Sequence, residues 1–146
     1  PATLHWSGTP SVSAGGFTLL AQSAVPNQFG LFYYGPVQAQ VSFGHGYRCI
    51  GAGLLGPFRL SPPVQCDSFG DGQRTLDWGS APVGSGAGEI RPGETWNFQF
   101  WYRPRCREPW VQFDRCACGS FLRLRTASSS PLGGFCRGCR VSKPPP

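Results

Sequence analysis

From Trp96 to Arg103 the chain reads Trp-Asn-Phe-Gln-Phe-Trp-Tyr-Arg, and alternate residues of a strand point to opposite faces. One face carries Trp96, Phe98, Phe100 and Tyr102, the other Asn97, Gln99, Trp101 and Arg103. Four aromatics at period two, entered through Arg91-Pro92-Gly93-Glu94, predict a central strand of a β-rich core. Earlier stretches carry the same signal. Short strands are predicted at Ala2–Trp6 and Phe17–Gln22. Phe29–Tyr34 is nearly continuous in apolar character, which predicts burial on both faces. Val37–Phe43 and Gln73–Trp78 alternate as half-buried strands do. Tyr47–Ile50, Phe58–Leu60 and Val64–Cys66 complete the set, the last two separated by Ser61-Pro62-Pro63. Turn chemistry divides the strands at Ser7-Gly8-Thr9-Pro10, Val25-Pro26-Asn27-Gln28, Gly35-Pro36 and Asp67–Gly72. No helical periodicity of useful length precedes Arg103. The predicted fold is all-β, an antiparallel sandwich or jelly-roll-like domain over residues 1–103.

Composition supports one domain and then divides it. The length suits a single core, and 40% hydrophobic residues argue against disorder despite 21 Gly and 15 Pro. No apolar run is long enough to span a membrane as a helix. The chain starts at Pro1 and carries no signal peptide, so a fragment or processed form is expected. Up to Arg103, five arginines balance five carboxylates. From Pro104 onward, seven arginines and Lys143 face only Glu108 and Asp114, which places the whole net charge of +6 there. Cysteine divides similarly, with Cys49 and Cys66 before the break and five more after it. Residues 104–146 therefore read as an irregular, basic, Arg/Cys/Pro-rich appendage, with Ser128–Pro146 disordered or loosely packed. Within it, Phe113–Leu124 is the stretch able to pair as a strand.

Several residue groups raise specific chemistry. Cys49 and Cys66 lie on segments that can neighbour each other in a sandwich, and a bridge there would contribute ~3 kcal/mol and imply an oxidising compartment. Two buried thiols are the alternative. Tyr33, Tyr34, Trp78 and Trp101 could form an aromatic platform that stacks on sugar rings, against the default of core burial. Cys116, Cys118, Cys136 and Cys139 form two close pairs, the paired-thiol arrangement of a zinc ribbon, and surrounding arginines would then suggest nucleic-acid binding. The first pair is separated by one residue where such sites use two to four, which disfavours both zinc and nucleic acid. Asp67 and Asp71 loosely suggest a calcium loop, but lack the alternating acids of one and read as a turn. His5 and His45 are the candidate neutral-pH bases, and His45 sits in a glycine turn with no neighbouring carboxylate. No phosphate-binding loop, nucleophile elbow or zinc-protease motif occurs, and no nucleophile–base–orienter set can be assembled. A non-enzyme without a cofactor or metal is expected.

Ser7–Val12, Pro26–Pro36, Phe43–Cys49, Phe58–Leu60 and Trp96–Arg103 together carry a pattern, most specific in Asn27-Gln28-Phe29-Gly30 and in Trp96-Asn97-Phe98-Gln99 followed by Trp101-Tyr102-Arg103. It resembles the β-rich C-terminal module of large secreted bacterial proteins, notably of planctomycetes, over most of residues 3–103. In that family the strand ending in Tyr-Arg continues as Asp-Pro-Ala-Ala-Gly, followed by a Gly-Phe-Asn-x-Thr-Asp-Ala-Leu-Ala-Val strand that closes the domain. This chain departs at Pro104. Permitted codons for Pro104–Phe121, read one base later, can spell that continuation, and Trp110-Val111 must yield its glycine. A one-base deletion after Arg103 would account for the jumps in charge and cysteine together, and would remove the native last strand. The resemblance implies a non-catalytic accessory or interaction module of a secreted or cell-surface bacterial protein, serving attachment, sorting or structure. Its partners would be other domains of a larger secreted protein or surface polymers, met through loops. Glycan binding through exposed aromatics is the alternative, zinc-dependent nucleic-acid binding the third. An open sheet edge would also favour self-association.

Overall fold

The computed structural model describes residues 2–43, 46–51, 53, 55–102 and 118–125, with position 46 and residues 118–125 described through their backbone. The strands are β1 (Thr3–Ser7), β2 (Thr18–Gln22), β3 (Phe29–Gly35), β4 (Val37–Phe43), β5 (Gly46–Gly51), β6 (Phe58–Gln65), β7 (Gly72–Thr75), β8 (Thr95–Tyr102) and β9 (Cys118–Arg125). A 3-10 turn at Gly86–Gly88 is the helical element among the described residues, and no described helix is long and apolar enough to cross a membrane. The fold is all-β, and its strand pairings are antiparallel.

Two sheets enclose the main core. The first has the order β1-β2-β7, the second β6-β3-β8-β9. Alternation on β8 sends Trp96, Phe98, Phe100 and Tyr102 into the core, where they meet Phe32 and Tyr34 of β3. Leu4 and Leu19 arrive from the opposing sheet, with Phe17 and Leu76 beside it. Phe32 and Phe100 lie 4.5 Å apart by ring centroid, and Tyr34 stacks on Phe98 at 5.6 Å. Gly30 is required here by space, because a Cβ at that position would run into the Phe100 ring. At the margins β6 lies beside β7 and β1 beside β9, so the two sheets approach each other on both sides.

β4 and β5 form a separate hairpin that packs on the other face of the four-stranded sheet, against β3 and β8. This third layer explains a burial pattern that two layers cannot. β3 is buried on both faces, as its continuous apolar run predicted. On β8 the polar residues Asn97 and Gln99 are also buried, at 1% and 0% exposure, because the hairpin covers them.

β6 departs from the sequence expectation, and β9 falls largely within the stretch given strand capacity. Phe58–Leu60 and Val64–Cys66 are predicted as separate pieces, yet β6 runs on through Pro62 and Pro63. β6 is an edge strand, its register against β3 shifts between Gly30 and Phe32, and proline is tolerated where a ladder donor is not needed. Arg74 donates to the carbonyls of Ser61 (2.9 Å) and Pro62, which fastens this irregular stretch to β7. Within the appendage, Cys118–Arg125 forms β9, in register along the whole of β8 from Thr95↔Arg125 to Tyr102↔Cys118. Much of Phe113–Leu124, the stretch with strand capacity, thus lies beside β8.

The expected Cys49–Cys66 disulfide is absent, and this corrects the sequence reading. Both side chains are buried thiols. Cys66 belongs to the core between the two sheets, whereas Cys49 sits on the hairpin across the four-stranded sheet. Stacked β layers are ~10 Å apart, and a disulfide spans at most ~7 Å between Cα atoms. The inference of an oxidising compartment from that bridge goes with it.

Candidate functional site

The junction between the hairpin and the four-stranded sheet is built around Gln99. Its Oε1 accepts from the Cys49 backbone N–H at 2.9 Å, and its Nε2 donates to the Tyr47 carbonyl at 2.8 Å. The side chain thereby acts as a short length of partner strand for the outward edge of β5. A buried carboxamide is tolerated when both of its ends are satisfied in this way. Asn97 donates to the Gly35 carbonyl at 3.1 Å, tying β8 to the turn that leads into the hairpin.

Beside this junction a cleft of about 310 Å³ opens, lined by Leu31, Tyr33, Phe43, Arg48, Arg59 and Trp101 together with Pro57. Register explains the convergence. Arg59 and Tyr33 are cross-strand partners on β6 and β3, and Leu31 and Trp101 are partners on β3 and β8. From the hairpin, Val41 pairs with Arg48, and Phe43 follows two residues along on the same face. The Phe43 and Trp101 rings meet edge to face at 6.1 Å. Burial pushes the Tyr33 hydroxyl well above the ordinary phenol value; Cys49 adds to that shift and Arg48 opposes it. Both arginines of the cleft lack a carboxylate partner among the described residues.

The four aromatics of the predicted sugar platform divide between two places. Tyr33 and Trp101 line the cleft. Tyr34 is fully buried on the opposite side of the sheet, its hydroxyl donating to the Gly88 carbonyl at 2.6 Å. Trp78 packs against the same core beside Phe17. A four-ring platform is therefore not assembled: adjacent residues of one strand, such as Tyr33 and Tyr34, must face opposite ways. Arg48, Arg59, Phe43 and Gln99 were missed as site residues. The available signal was weak: each arginine interrupts an apolar strand segment, Tyr-Arg-Cys-Ile and Phe-Arg-Leu.

The remaining candidates resolve into structural roles or fall elsewhere. Asp67 Oδ1 accepts from the backbone N–H groups of Asp71 (2.9 Å) and Phe69 (2.8 Å), and these bonds hold its carboxyl below the usual range. Asp71 Oδ1 accepts from the Ser23 N–H at 3.0 Å. Gly70 completes the turn at φ +85°, against the Ala24 carbonyl, where no other residue fits. Asp67 and Asp71 border a second cleft of about 400 Å³ between β2 and β6, with their carboxylates engaged as turn caps. His5 contacts Thr3 Oγ1 at 3.1 Å. Among the described residues, no three His, Cys, Asp or Glu side chains gather as a metal site would require. Cys118 opens β9, while Cys116, Cys136, Cys139 and His45 lie outside the described residues.

No protein-family model matches the chain, and neither a curated protein nor a solved structure is significantly similar to it.

Proposed function

We propose that the chain is a non-catalytic interaction module, carried by a secreted or cell-surface bacterial protein, that meets its partner through the β4–β5 hairpin and the adjoining cleft. The observation that carries this reading is the distribution of exposed apolar side chains. Val37, Val41, Phe43 and Tyr47 stand 38–49% exposed on the hairpin, and Leu55 is 69% exposed in the loop that follows it. Val41 and Phe43 share one face of β4, while Tyr47, paired with Ser42, stands on the other; large apolar side chains left exposed together on one face mark contact sites. The four-stranded sheet lies beneath the hairpin, and a surface preorganised on such a support binds at a lower ordering cost. Secretion and bacterial origin rest on the resemblance carried by Trp96–Arg103 and Asn27–Gly30.

The alternative of glycan binding keeps support in reduced form, since Tyr33 and Trp101 share one cleft. The test is retention of the purified protein on immobilised envelope polysaccharides, compared with a V41S/F43S variant of matched thermal stability. Retention of the wild type and its loss in the variant support the reading. Absence of retention, or equal retention by the variant, overturns it.

A further inference from the structure

We propose that the cleft between β3, β8 and the β4–β5 hairpin binds an acidic pyranose of a polysaccharide, with Arg48 and Arg59 on its carboxylate or sulfate and Trp101 and Tyr33 against its ring. This rests on the interaction-module reading and names the ligand class for that site.

Three observations converge on it. The first is size. A volume of about 310 Å³ lies at the small end of ligand sites, ~300–1,000 Å³, and suits one ring better than an extended chain. The second is charge. Arg48 and Arg59 line the cleft, and no described carboxylate does. Arg48 Nε is shielded from solvent with no acceptor among the described residues, and a desolvated donor left without a partner is costly. An incoming anion supplies the missing acceptor. The planar fork of arginine matches carboxylate and sulfate oxygens in pairs. Both arginines stand on strands, Arg59 registered against Tyr33 and Arg48 against Val41, so their backbone positions are set before binding.

The third observation is the wall. Trp101 and Phe43, held edge to face at 6.1 Å, and the buried Tyr33 give an aromatic surface directly beside the cations. An acidic side chain of a peptide would satisfy the arginines and leave that surface uncovered. An acidic sugar presents the anion and an apolar C–H face in one residue, which uses both.

The experiment titrates the full chain with tetragalacturonate, sulfated maltotetraose, neutral maltotetraose and a tetraglutamate peptide, following tryptophan emission and calorimetric heat. The expected result is saturable binding of one or both acidic sugars, weakened about tenfold or more by R59Q. Arg59 is exposed, so this variant should fold. R48Q is expected to abolish binding, and R91Q, which removes an exposed charge from the turn before β8 that does not line the cleft, to leave it unchanged. Tetragalacturonate and sulfated maltotetraose distinguish carboxylate from sulfate as the bound group. Equal affinity for neutral maltotetraose would overturn the anionic assignment while leaving a glycan-binding module standing. Equal affinity for tetraglutamate, with the same R59Q sensitivity, would assign the cleft to acidic peptides instead. Binding insensitive to R59Q but equally weakened by R91Q would reduce it to bulk charge. Absence of saturable binding to all four probes would overturn the proposal; retention on envelope polysaccharides lost in V41S/F43S would even then leave the interaction-module reading standing.

Discussion

Gln99 has no exposed surface, and both ends of its carboxamide hold the backbone of β5. Gln99→Ala leaves the Cys49 N–H and the Tyr47 carbonyl buried without their partner, at a cost of about 3 kcal/mol by the usual penalty for unsatisfied polar groups. Asn97→Ala removes one bond, to the Gly35 carbonyl, from a side chain whose Oδ1 has no donor among the described residues. Urea denaturation should therefore rank Gln99→Ala as clearly the more damaging, and equal costs would contradict the role assigned to Gln99. Asp67 permits a second test. Its carboxyl titrates below its ordinary value of 3.8 because Asp71 and Phe69 donate to it. A depressed carboxyl contributes stability above its unfolded value and loses it as pH falls through the folded value. The stability gap between wild type and Asp67→Ala should hold steady from about pH 7 to pH 5, then narrow below about pH 4. A gap that widens on acidification would contradict the capping role. Burial of Tyr33 and Tyr34 on opposite faces follows directly from strand alternation, whereas burial of Gln99 does not, because polar alternation normally signals solvent.

Among the elements, β3 and β8 were the most legible, since long apolar or aromatic runs leave little choice of environment. β6 was not. Pro62 and Pro63 read as an interruption, and only its edge position and the bonds from Arg74 let the strand continue. The β4–β5 hairpin could be read as two strands, but not as a separate layer, because nothing in its alternation says which sheet it joins. β9 tests how Cys118–Arg125 completes the second sheet. Its ladder with β8 pairs Phe98 with Leu122 at its middle, and proline cannot sit in an ordered ladder without loss of a donor or a clash. Leu122→Pro should lower the unfolding midpoint and uncover the β8 edge, seen as self-association in size-exclusion chromatography. An unchanged midpoint and a monomeric profile would show that β9 contributes nothing to the domain.

At the scale of the molecule, the all-β class and one apolar face of the core were readable from period-two patterning, while the number of layers was not. A two-layer reading places Asn97, Gln99 and Trp101 toward solvent and lets Cys49 approach Cys66. The third layer buries the two amides, holds the two thiols on opposite sides of a sheet, and turns the space beside Trp101 into a cleft with Arg48 and Arg59. Every functional inference here depends on that hairpin lying where Gln99 holds it. The most direct measurement is a three-dimensional nuclear Overhauser spectrum of the labelled protein, with exchange rates for the Cys49 and Gln99 amide protons. The expected result is cross-peaks between the Phe43 and Trp101 rings and between the Gln99 side chain and the Cys49 amide, with slow exchange at both. Rapid exchange at Cys49 and no contact between Phe43 and Trp101 would place the hairpin elsewhere and remove the cleft with it.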